Sequence, residues 1–454
     1  MKSILILYDK FLGNLRILKT LKLYLSIIIV GLLIKLMLLI YLRNSALTTP
    51  DSDKYIAVSN KFFENYFTGS TKEYFSSPES ISDFSLQILP IYPLFLKIFF
   101  LSLPMLIITQ IIIHSLISVI ALGLLSKIES KQSEFIKFTF FILIQLETTL
   151  FIYTFRILTE ILFALFVILV VYLVVSDFRK SPNIYFRYVV IFTTLFAVFL
   201  TRPTSIAFCV AFFLMTILAE NRKKYFILFL ISVFIYTSYG MFNYARSGIF
   251  TNSTIQNSNF LRYEAAGAKA LTLGVPLMEV QNEESLIRQN MLEGDPSLKT
   301  YNKYNLDRAI DILTNNKMSF IKLHLIGVLK VLYGPNRSEL LQIISDSGRN
   351  SPPVWLSQLI LIFAFLITIL ISTLGIIGMT RYFFRNDDFK FIACLILSFL
   401  LISGGAQAYG RFRAPISVFL TIFAAIQLND VFLRLRRKDL KIIIKFFYMA
   451  RKAK

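Results

Sequence analysis

The first apolar run of the chain reads LKLYLSIIIVGLLIKLMLLIYL at residues 21–42, and it leads directly into RNSALTTPDSDKY at residues 43–55. A helix rises about 1.5 Å per residue, so this run is long enough to cross a hydrocarbon core of about 30 Å. Lys10, Arg16 and Lys19 precede the run, which lacks a small-residue cleavage site. The pattern predicts an uncleaved signal anchor with an acidic loop on the outer side of the membrane.

The same apolar character extends over the rest of the chain. Of the 454 residues, 56% are hydrophobic and 17% are charged, whereas soluble globular proteins contain roughly 45–50% apolar and about 25% charged residues. The apolar runs do not alternate with polar residues, as the strands of a membrane β-barrel would. The sequence therefore predicts an all-α polytopic membrane protein with about ten transmembrane helices, at residues 21–42, 104–125, 138–155, 158–175, 188–200, 205–219, 225–243, 355–377, 391–405 and 416–433.

The positive charge of the chain predicts its topology. The formal net charge is +21, and 26 of the 48 Lys and Arg residues but only 9 of the 27 Asp and Glu residues fall on the side that holds the N-terminus. Such an excess of Lys and Arg in short loops is typical of the cytoplasmic side. We therefore expect a multi-pass protein of the cell membrane with both termini in the cytoplasm. The charge lends no support to a nucleic-acid partner, whereas contact with membrane lipids is expected.

Polar residues are concentrated in two segments on the predicted outer face, and they divide the chain. An N-terminal transmembrane module (1–243) includes the first outer loop (43–93). An outer-face helical region (244–353) follows, and C-terminal transmembrane helices (354–433) lead into a basic cytoplasmic tail (434–454). The first outer loop carries aromatic residues at helical spacing after Pro50, which is typical of an amphipathic helix on the membrane surface.

The large outer region has helical patterns of its own, at 276–292, 298–314 and 317–333. The last of these has an apolar face, so we expect it to lie on the bilayer or on other helices. Elsewhere, two cysteines and two histidines are too few for a disulfide framework or for a histidine-built metal site.

Several ionisable residues at the outer face are candidates for chemistry. Asp51 and Asp53 lie just beyond the first span, where a carboxylate can act as a general base or hold a hard divalent cation. Capping of the helix that follows is the structural alternative. Glu160 lies at the outer mouth of span four, and an ion pair with Arg156, one turn away, is its structural alternative. Lys35 lies inside span one, and we expect it to extend towards the headgroups.

Three arginines, Arg202, Arg411 and Arg413, lie at the outer ends of spans, where cytoplasmic topology does not explain them. The fork of a guanidinium group binds two oxygen atoms of one phosphate, so these residues can bind a phosphate at headgroup depth. Ordinary contact with lipid phosphates is the alternative.

Five short motifs occur in order on the predicted outer face: Pro-Asp-Ser-x-x-Tyr (50–55), Tyr-Pro-x-Phe-Leu (92–96), Leu-Thr-Glu (158–160), Arg-Pro (202–203) and Arg-Phe-Arg-x-Pro (411–415). Together they resemble the bacterial dolichyl-phosphate-mannose protein mannosyltransferase-like group of GT-C glycosyltransferases, the family 39-like enzymes. The lipid A aminoarabinose transferase is similar more distantly. Ala414, where a larger aliphatic residue is usual, and an Asn-rich outer region depart from the pattern.

The resemblance implies a GT-C fold and an enzyme that transfers a sugar, with inversion, from a polyprenyl-phosphate donor to a lipid, glycan or protein acceptor. The leaving phosphate needs cations and the acceptor needs a base, but no general acid is required. Asp51 is the expected base, and Asp53 is an accessory catalytic carboxylate and a candidate ligand for a divalent cation, Mg²⁺ or Mn²⁺. The remaining roles are donor-phosphate binding by Arg202, Arg411 and Arg413, and lining of the cavity by Tyr55, Glu160 and Tyr92.

Two other classes of protein stay open at this point. A polymerase or ligase of lipid-linked glycans would use a pyrophosphate-linked oligosaccharide, and the early acidic loop argues against it. A transporter or flippase would need broken helices, charge near the bilayer centre and often repeated halves. The chain shows no internal repeat, which argues against this second class.

Overall fold

The computed structural model describes residues 26–40, 42, 47–63, 66, 84–99, 102–129, 134–175, 184–292, 297–345 and 353–452. Over these residues every regular element is a helix, as the uninterrupted apolar runs predict. The basic segment after 433 continues the last helix as far as Lys452 rather than leaving it.

The N-terminal part of the bundle contains eleven α-helices within the described residues. They are α1 (Ser26–Ile40), α2 (Pro50–Asn60), α3 (Phe84–Gln87), α4 (Ile91–Phe99), α5 (Leu103–Ile128), α6 (Glu134–Leu146), α7 (Thr148–Thr154), α8 (Glu160–Val175), α9 (Ile184–Phe199), α10 (Ala207–Leu218) and α11 (Arg222–Ser247). Each predicted span of this part overlaps one of these helices, except 138–155, which corresponds to the pair α6 and α7. Residues 21–25 and 41 of the first predicted span lie outside the described residues.

The outer region and the C-terminal part follow. They contain α12 (Ile255–Asn259), α13 (Ala266–Leu273), α14 (Leu277–Leu292), α15 (Leu298–Asn315), α16 (Lys317–Tyr333), α17 (Arg337–Ser345), α18 (Val354–Tyr382), α19 (Asp387–Ser403) and α20 (Ala414–Lys452). The three helices predicted for the outer region are confirmed as α14, α15 and α16. The last three predicted spans coincide with α18, α19 and α20.

Length and composition show which helices can cross a membrane. Among the described residues, five helical segments qualify: Leu103–Ile128, Arg222–Ser247, Lys317–Ile344, Val354–Tyr382 and Gly410–Leu435. The pair α6 and α7 makes a sixth if it is counted as one span, and α1, α8, α9 and α10 are apolar but shorter. The protein is therefore an all-α, multi-pass membrane protein. The segment that begins with α16, expected on the bilayer or on other helices, also has the length and composition of a span.

Span three is broken near its middle, which the hydropathy pattern did not predict. Helix α6 ends at Leu146, α7 starts at Thr148, and the two helices meet at an angle of 50°. Glu147 caps α7, because its Oε2 accepts a hydrogen bond from the Leu150 N–H at 2.7 Å. Its Oε1 lies 3.3 Å from the Nε of Arg413. Glu147 therefore caps a helix and pairs with an arginine at the same time.

Lys35 does not extend to the headgroups, so that prediction is wrong. Its side chain is buried, and its Nζ donates a hydrogen bond to the Oε1 of Gln145 at 2.7 Å. The amide of Gln145 donates in turn to the Ser118 hydroxyl at 3.2 Å. A buried amine needs such an acceptor, because desolvation without a partner is costly. The contact joins α1 to α5 and α6.

Helices α18 and α20 pack closely because α18 carries two glycines at the contact. A Cβ atom at Gly375 would lie 2.8 Å from the Leu420 carbonyl oxygen, and one at Gly378 would lie 2.6 Å from that of Phe423. Small residues permit such close approach between helices in membranes. The packing fixes the start of α20 and, with it, the 3₁₀ turn Gly410–Arg413 that precedes this helix.

Candidate active site

Helix α2 presents Asp51 from its first turn. Thr49 and Ser52 form a capping box at the start of this helix, in which the Thr49 N–H donates to the Ser52 hydroxyl at 2.9 Å. The Ser52 hydroxyl also donates to the Ile157 carbonyl at 3.0 Å, so α2 is tied to the segment before α8. Because Thr49 and Ser52 cap the helix, Asp51 is available for other contacts, and its side chain is 45% exposed.

Glu160 begins α8 and forms the buried centre of the site. Its side chain is 1% exposed, and its Oε1 accepts hydrogen bonds from both Arg202 and Arg411. A buried carboxylate is costly unless it is paired, and these two guanidinium groups compensate its charge. Arg156, which the sequence offered as its partner, donates to two backbone carbonyls at 3.2 and 2.9 Å.

Arg411 joins Asp51 to Glu160. Its Nη1 donates to the Asp51 Oδ2 at 3.1 Å and to the Tyr409 hydroxyl at 3.2 Å, while its Nε donates to Glu160. Asp51 and Arg411 are 360 positions apart in the sequence. We refer to Asp51, Glu160, Arg202 and Arg411 as the charged cluster. Its two carboxylates and two guanidinium groups balance in charge.

Arg202 is the second arginine that contacts the Oε1 of Glu160. It lies just before Pro203, which starts a 3₁₀ turn. Its Nη1 donates to the Thr159 hydroxyl at 2.9 Å, and its guanidinium carbon lies 5.9 Å from the ring centres of both Phe163 and Phe412. Such cation–π contacts and the hydrogen bonds hold the Arg202 side chain in one orientation.

Two tyrosines pack beside the charged cluster. The rings of Tyr55 and Tyr92 meet edge to face with their centres 5.1 Å apart. Tyr92 is buried behind Tyr55, with its hydroxyl 3.5 Å from the Gln110 Oε1. Burial raises the pKa of the Tyr55 phenol, and the positive charges of Arg411 and Arg202 offset this only in part. Tyr55 therefore stays protonated at neutral pH and can donate a hydrogen bond.

Arg413 belongs to the protein interior. Its side chain is 1% exposed, and all three of its nitrogen atoms donate to protein oxygens. These acceptors are the side chains of Glu147, Thr148 and Thr149 and the carbonyls of Val331, Leu332 and Gly334. With its donors committed in this way, Arg413 ties the broken span and the end of α16 to the turn that carries Arg411.

Asp53 is exposed and lies on a different face of α2 from Asp51, since a separation of two residues turns a helix by about 200°. Within the described part of the chain, no three side chains of His, Cys, Asp or Glu come together to hold a metal ion. At Asp51, Arg411 lies 3.1 Å and Lys54 lies 3.7 Å from the carboxylate oxygens. These cations would repel a divalent ion, so Asp51 is unsuited to hold one, and the assignment of Asp53 as a ligand for a divalent cation stays a prediction.

A glycine-rich segment, residues 404–410, leads into the turn that carries Arg411. Gly405 has a φ of +113°, and a Cβ atom there would lie 1.8 Å from the carboxylate of Glu264. This carboxylate accepts a hydrogen bond from the Ala406 N–H at 3.1 Å. Burial raises the pKa of Glu264, and hydrogen bonds from the Ala406 and Gln407 backbone offset this only in part. The sequence missed Glu264, because no motif or spacing distinguishes it from the other acids of the outer region.

An open cleft of about 560 Å³ lies beside Tyr409, between the end of α16, the start of α17 and the glycine-rich segment. Its lining residues are Lys330, Gly334, Pro335, Asn336, Arg337, Ser338, Glu339, Leu341, Tyr409 and Gly410. The Tyr409 hydroxyl accepts a hydrogen bond from Arg411, so this tyrosine borders both the cleft and the charged cluster. Tyr409 could have been found from the sequence, because it lies two residues before Arg411.

The fold is similar to that of the Archaeoglobus fulgidus oligosaccharyltransferase tethered to an acceptor peptide that contains the NVT sequon. The TM-score is 0.51 at 14% identity, over 92% of this chain and 50% of that chain. The chain has the GT-C fold. A second structure, the archaeal oligosaccharyltransferase AglB from the same organism with an inhibitory peptide and a dolichol-phosphate, gives a TM-score of 0.47 at 13% identity, over 92% of this chain and 51% of that chain.

This chain spans about half the length of those two proteins. The sequence matches no protein-family model and no curated protein. At such low identity the likeness establishes the fold alone, and it confirms the all-α GT-C architecture that the five motifs imply. The narrower resemblance, to the bacterial protein mannosyltransferase-like group, stays a prediction.

Proposed function

We propose that the protein is a membrane glycosyltransferase that moves a sugar, with inversion, from a polyprenyl-phosphate donor to an acceptor at the outer face of the cell membrane. One observation carries the proposal: Arg411 binds Asp51 and Glu160 at once, so a half-exposed carboxylate lies beside a fixed pair of guanidinium groups. A base next to cations is what this reaction needs. The GT-C fold and the expected topology support the placement of this chemistry on the outer face.

In this proposal Asp51 removes the proton from the acceptor hydroxyl as its oxygen bonds to the anomeric carbon. The bond from that carbon to the phosphate oxygen breaks, and its electron pair leaves with polyprenyl phosphate. Negative charge on the phosphate increases during this step, and Arg411 and Arg202 stabilise it. Glu160 holds both guanidinium groups in place beforehand, so little reorganisation is needed when the charge develops.

The other predicted residues take supporting roles. The phenol of Tyr55 lies beside Arg411 and is available to donate a hydrogen bond to the sugar or the phosphate. Arg413, predicted as a phosphate ligand, is assigned to positioning of Arg411, because its own donors already bind protein oxygens. Asp53 is kept as an accessory carboxylate, and no step is routed through a metal ion.

The test is release of free polyprenyl phosphate by the purified protein in proteoliposomes. The donor panel contains polyprenyl-monophosphate sugars and pyrophosphate-linked oligosaccharides, and a membrane extract supplies acceptors. The proposal predicts release from one monophosphate donor, an inverted anomeric configuration in the product, and loss of release in Arg411→Gln. Turnover of a pyrophosphate-linked donor alone would instead establish the polymerase or ligase class. Movement of an intact donor across the bilayer without release would establish a transporter.

A further inference from the structure

We propose that the cleft beside Tyr409 binds a phosphate group of the acceptor, with Lys330 and Arg337 as its counter-charges. The proposal deepens the function proposed above and rests on it only for the identity of the bound molecule as acceptor. The ligand chemistry is a phosphate group, carried either by a lipid headgroup or by a soluble phosphorylated glycan.

The charge of the cleft supports this assignment. Lys330 and Arg337 are both exposed, and among the described residues neither forms an ion pair. The cluster arginines, by contrast, are paired with carboxylates. The single acid that lines the cleft, Glu339, already accepts a hydrogen bond from the Ser338 hydroxyl at 2.7 Å. An ammonium and a guanidinium group that face one cavity without partners suit a phosphate.

The shape of the cleft indicates a preformed site. Its volume of about 560 Å³ lies within the range of small-molecule pockets, roughly 300–1,000 Å³. Two backbone segments of its lining approach closely, because a Cβ atom at Gly410 would lie 2.4 Å from the Gly334 carbonyl oxygen. The same carbonyl accepts a hydrogen bond from Arg413 at 3.1 Å.

The position of the cleft favours the acceptor over the donor. The anomeric carbon of the donor must lie near Asp51, where Arg411 and Arg202 already supply cations for its phosphate. The cleft lies on the far side of Tyr409, whose hydroxyl accepts from Arg411. A molecule anchored at Lys330 and Arg337 can reach past Tyr409 towards Asp51, which is the geometry that an acceptor hydroxyl requires.

The first test measures acetylation of Lys330 by mass spectrometry in the intact protein. Lys322 lies on the same helix, is also exposed and does not line the cleft, so it serves as the internal control. The protein is held in phosphatidylcholine nanodiscs with or without inorganic phosphate at constant ionic strength, and separately in phosphatidylglycerol nanodiscs. We expect the acetylation of Lys330 to slow by at least about threefold while Lys322 is unchanged. Arg337→Gln should abolish the protection.

The two arms distinguish the sources of the phosphate. Protection by inorganic phosphate in phosphatidylcholine nanodiscs supports a site open to soluble phosphorylated acceptors. Protection only in phosphatidylglycerol nanodiscs supports a lipid headgroup. Equal labelling of Lys330 in all conditions, or equal protection of Lys322, would overturn the site. This result does not depend on the enzyme being active.

A second measurement tests the role of the bound group as acceptor. Release of polyprenyl phosphate is measured with and without a membrane lipid extract in the wild type, in Lys330→Gln/Arg337→Gln and in Lys322→Gln. We expect the ratio of the rate with the extract to the rate without it to fall about tenfold in the double variant, which corresponds to a loss of about 1.4 kcal/mol of charge-assisted binding. The same ratio should be unchanged in Lys322→Gln. An unchanged ratio in the double variant would refute the acceptor assignment. If the wild type releases nothing, the proposed function fails, and the labelling result still decides the site.

Discussion

Arg411 and Arg413 belong to one motif and are two residues apart, yet they lie in opposite surroundings. Arg413 and its partner Glu147 are sealed in the interior, with 1% and 2% of their side chains exposed. Arg411 is 13% exposed, and its partner Asp51 is 45% exposed. The sealed pair fixes the broken span to the turn, whereas the open pair can exchange partners with a substrate. The difference teaches that the other contacts of the arginine decide whether an Arg–carboxylate pair is structural or functional.

Replacement of Arg411 should have the largest effect on activity. Arg411→Lys keeps the charge but cannot bridge Asp51, Tyr409 and Glu160, because an ammonium group lacks the planar fork. Release of polyprenyl phosphate should fall by about 10²–10³-fold, the usual effect of removing a positioned hydrogen-bond donor from a developing anion. Thermal unfolding in detergent should change little, since Arg202 still pairs with Glu160. An active Arg411→Lys variant would remove Arg411 from the reaction centre.

Replacement of Arg413 should act on stability instead. Arg413→Gln leaves Glu147 buried without its partner, and breaking a buried pair in this way costs about 3–5 kcal/mol. The unfolding temperature in detergent should therefore fall far more than in Arg411→Lys. Activity per folded molecule should suffer less than in Arg411→Lys. If the two variants lose activity equally at full stability, both arginines bind the donor and the distinction between them is wrong.

Glu264 offers an intermediate case, because it is buried but touches the segment that positions Arg411. Its pKa lies above the ordinary value of 4.5, since burial raises it. The folded protein therefore binds this proton more tightly than the unfolded chain does. Stability should accordingly fall as pH rises through the interval between the ordinary and the raised pKa. The unfolding temperature of the wild type, measured relative to Glu264→Gln from acid to neutral pH, should decrease across this interval.

Tyr55 should give the smallest effect. Tyr55→Phe keeps the edge-to-face contact with Tyr92 and removes only the hydroxyl, a neutral hydrogen bond of about 0.5–1.5 kcal/mol. The rate of polyprenyl phosphate release should fall by roughly threefold to tenfold, the factor that corresponds to this energy. Tyr92→Phe, which removes only the buried hydroxyl beside Gln110, is the matched control and should stay close to the wild type. A larger loss in Tyr92→Phe would reverse the roles of the two tyrosines.

The sequence predicts the positions of the apolar helices well because each predicted span is a local apolar run. It does not predict that the segment beginning with α16 has the length and composition of a span. It does not predict the break at Glu147. A glutamate that caps a helix inside a span and one that faces a cavity look the same in the sequence, because each is a single acidic residue in an apolar run. It also predicts Asp51, Glu160, Arg202 and Arg411 as site residues, and the structure brings these four together.

Other features depend on contacts that no local pattern records. The motif alone cannot separate Arg413 from Arg411, because the orientation of each side chain depends on the 3₁₀ turn and on distant acceptors. Lys35 was expected at the headgroups, but Gln145, 110 positions away, holds it in the interior. Glu264 and the cleft result from the packing of the outer region on the glycine-rich segment.

The most direct test of the account compares Asp51→Asn with Asp53→Asn in single-turnover release of polyprenyl phosphate. Both substitutions remove one carboxylate from the same helix, but Asp51 contacts Arg411, whereas Asp53 is exposed on another face. The account predicts that Asp51→Asn loses at least about 10²-fold in rate, the lower range for a general base, while Asp53→Asn stays within about threefold of the wild type. Equal rates in the two variants, both folded, would contradict the assignment of Asp51 as the base.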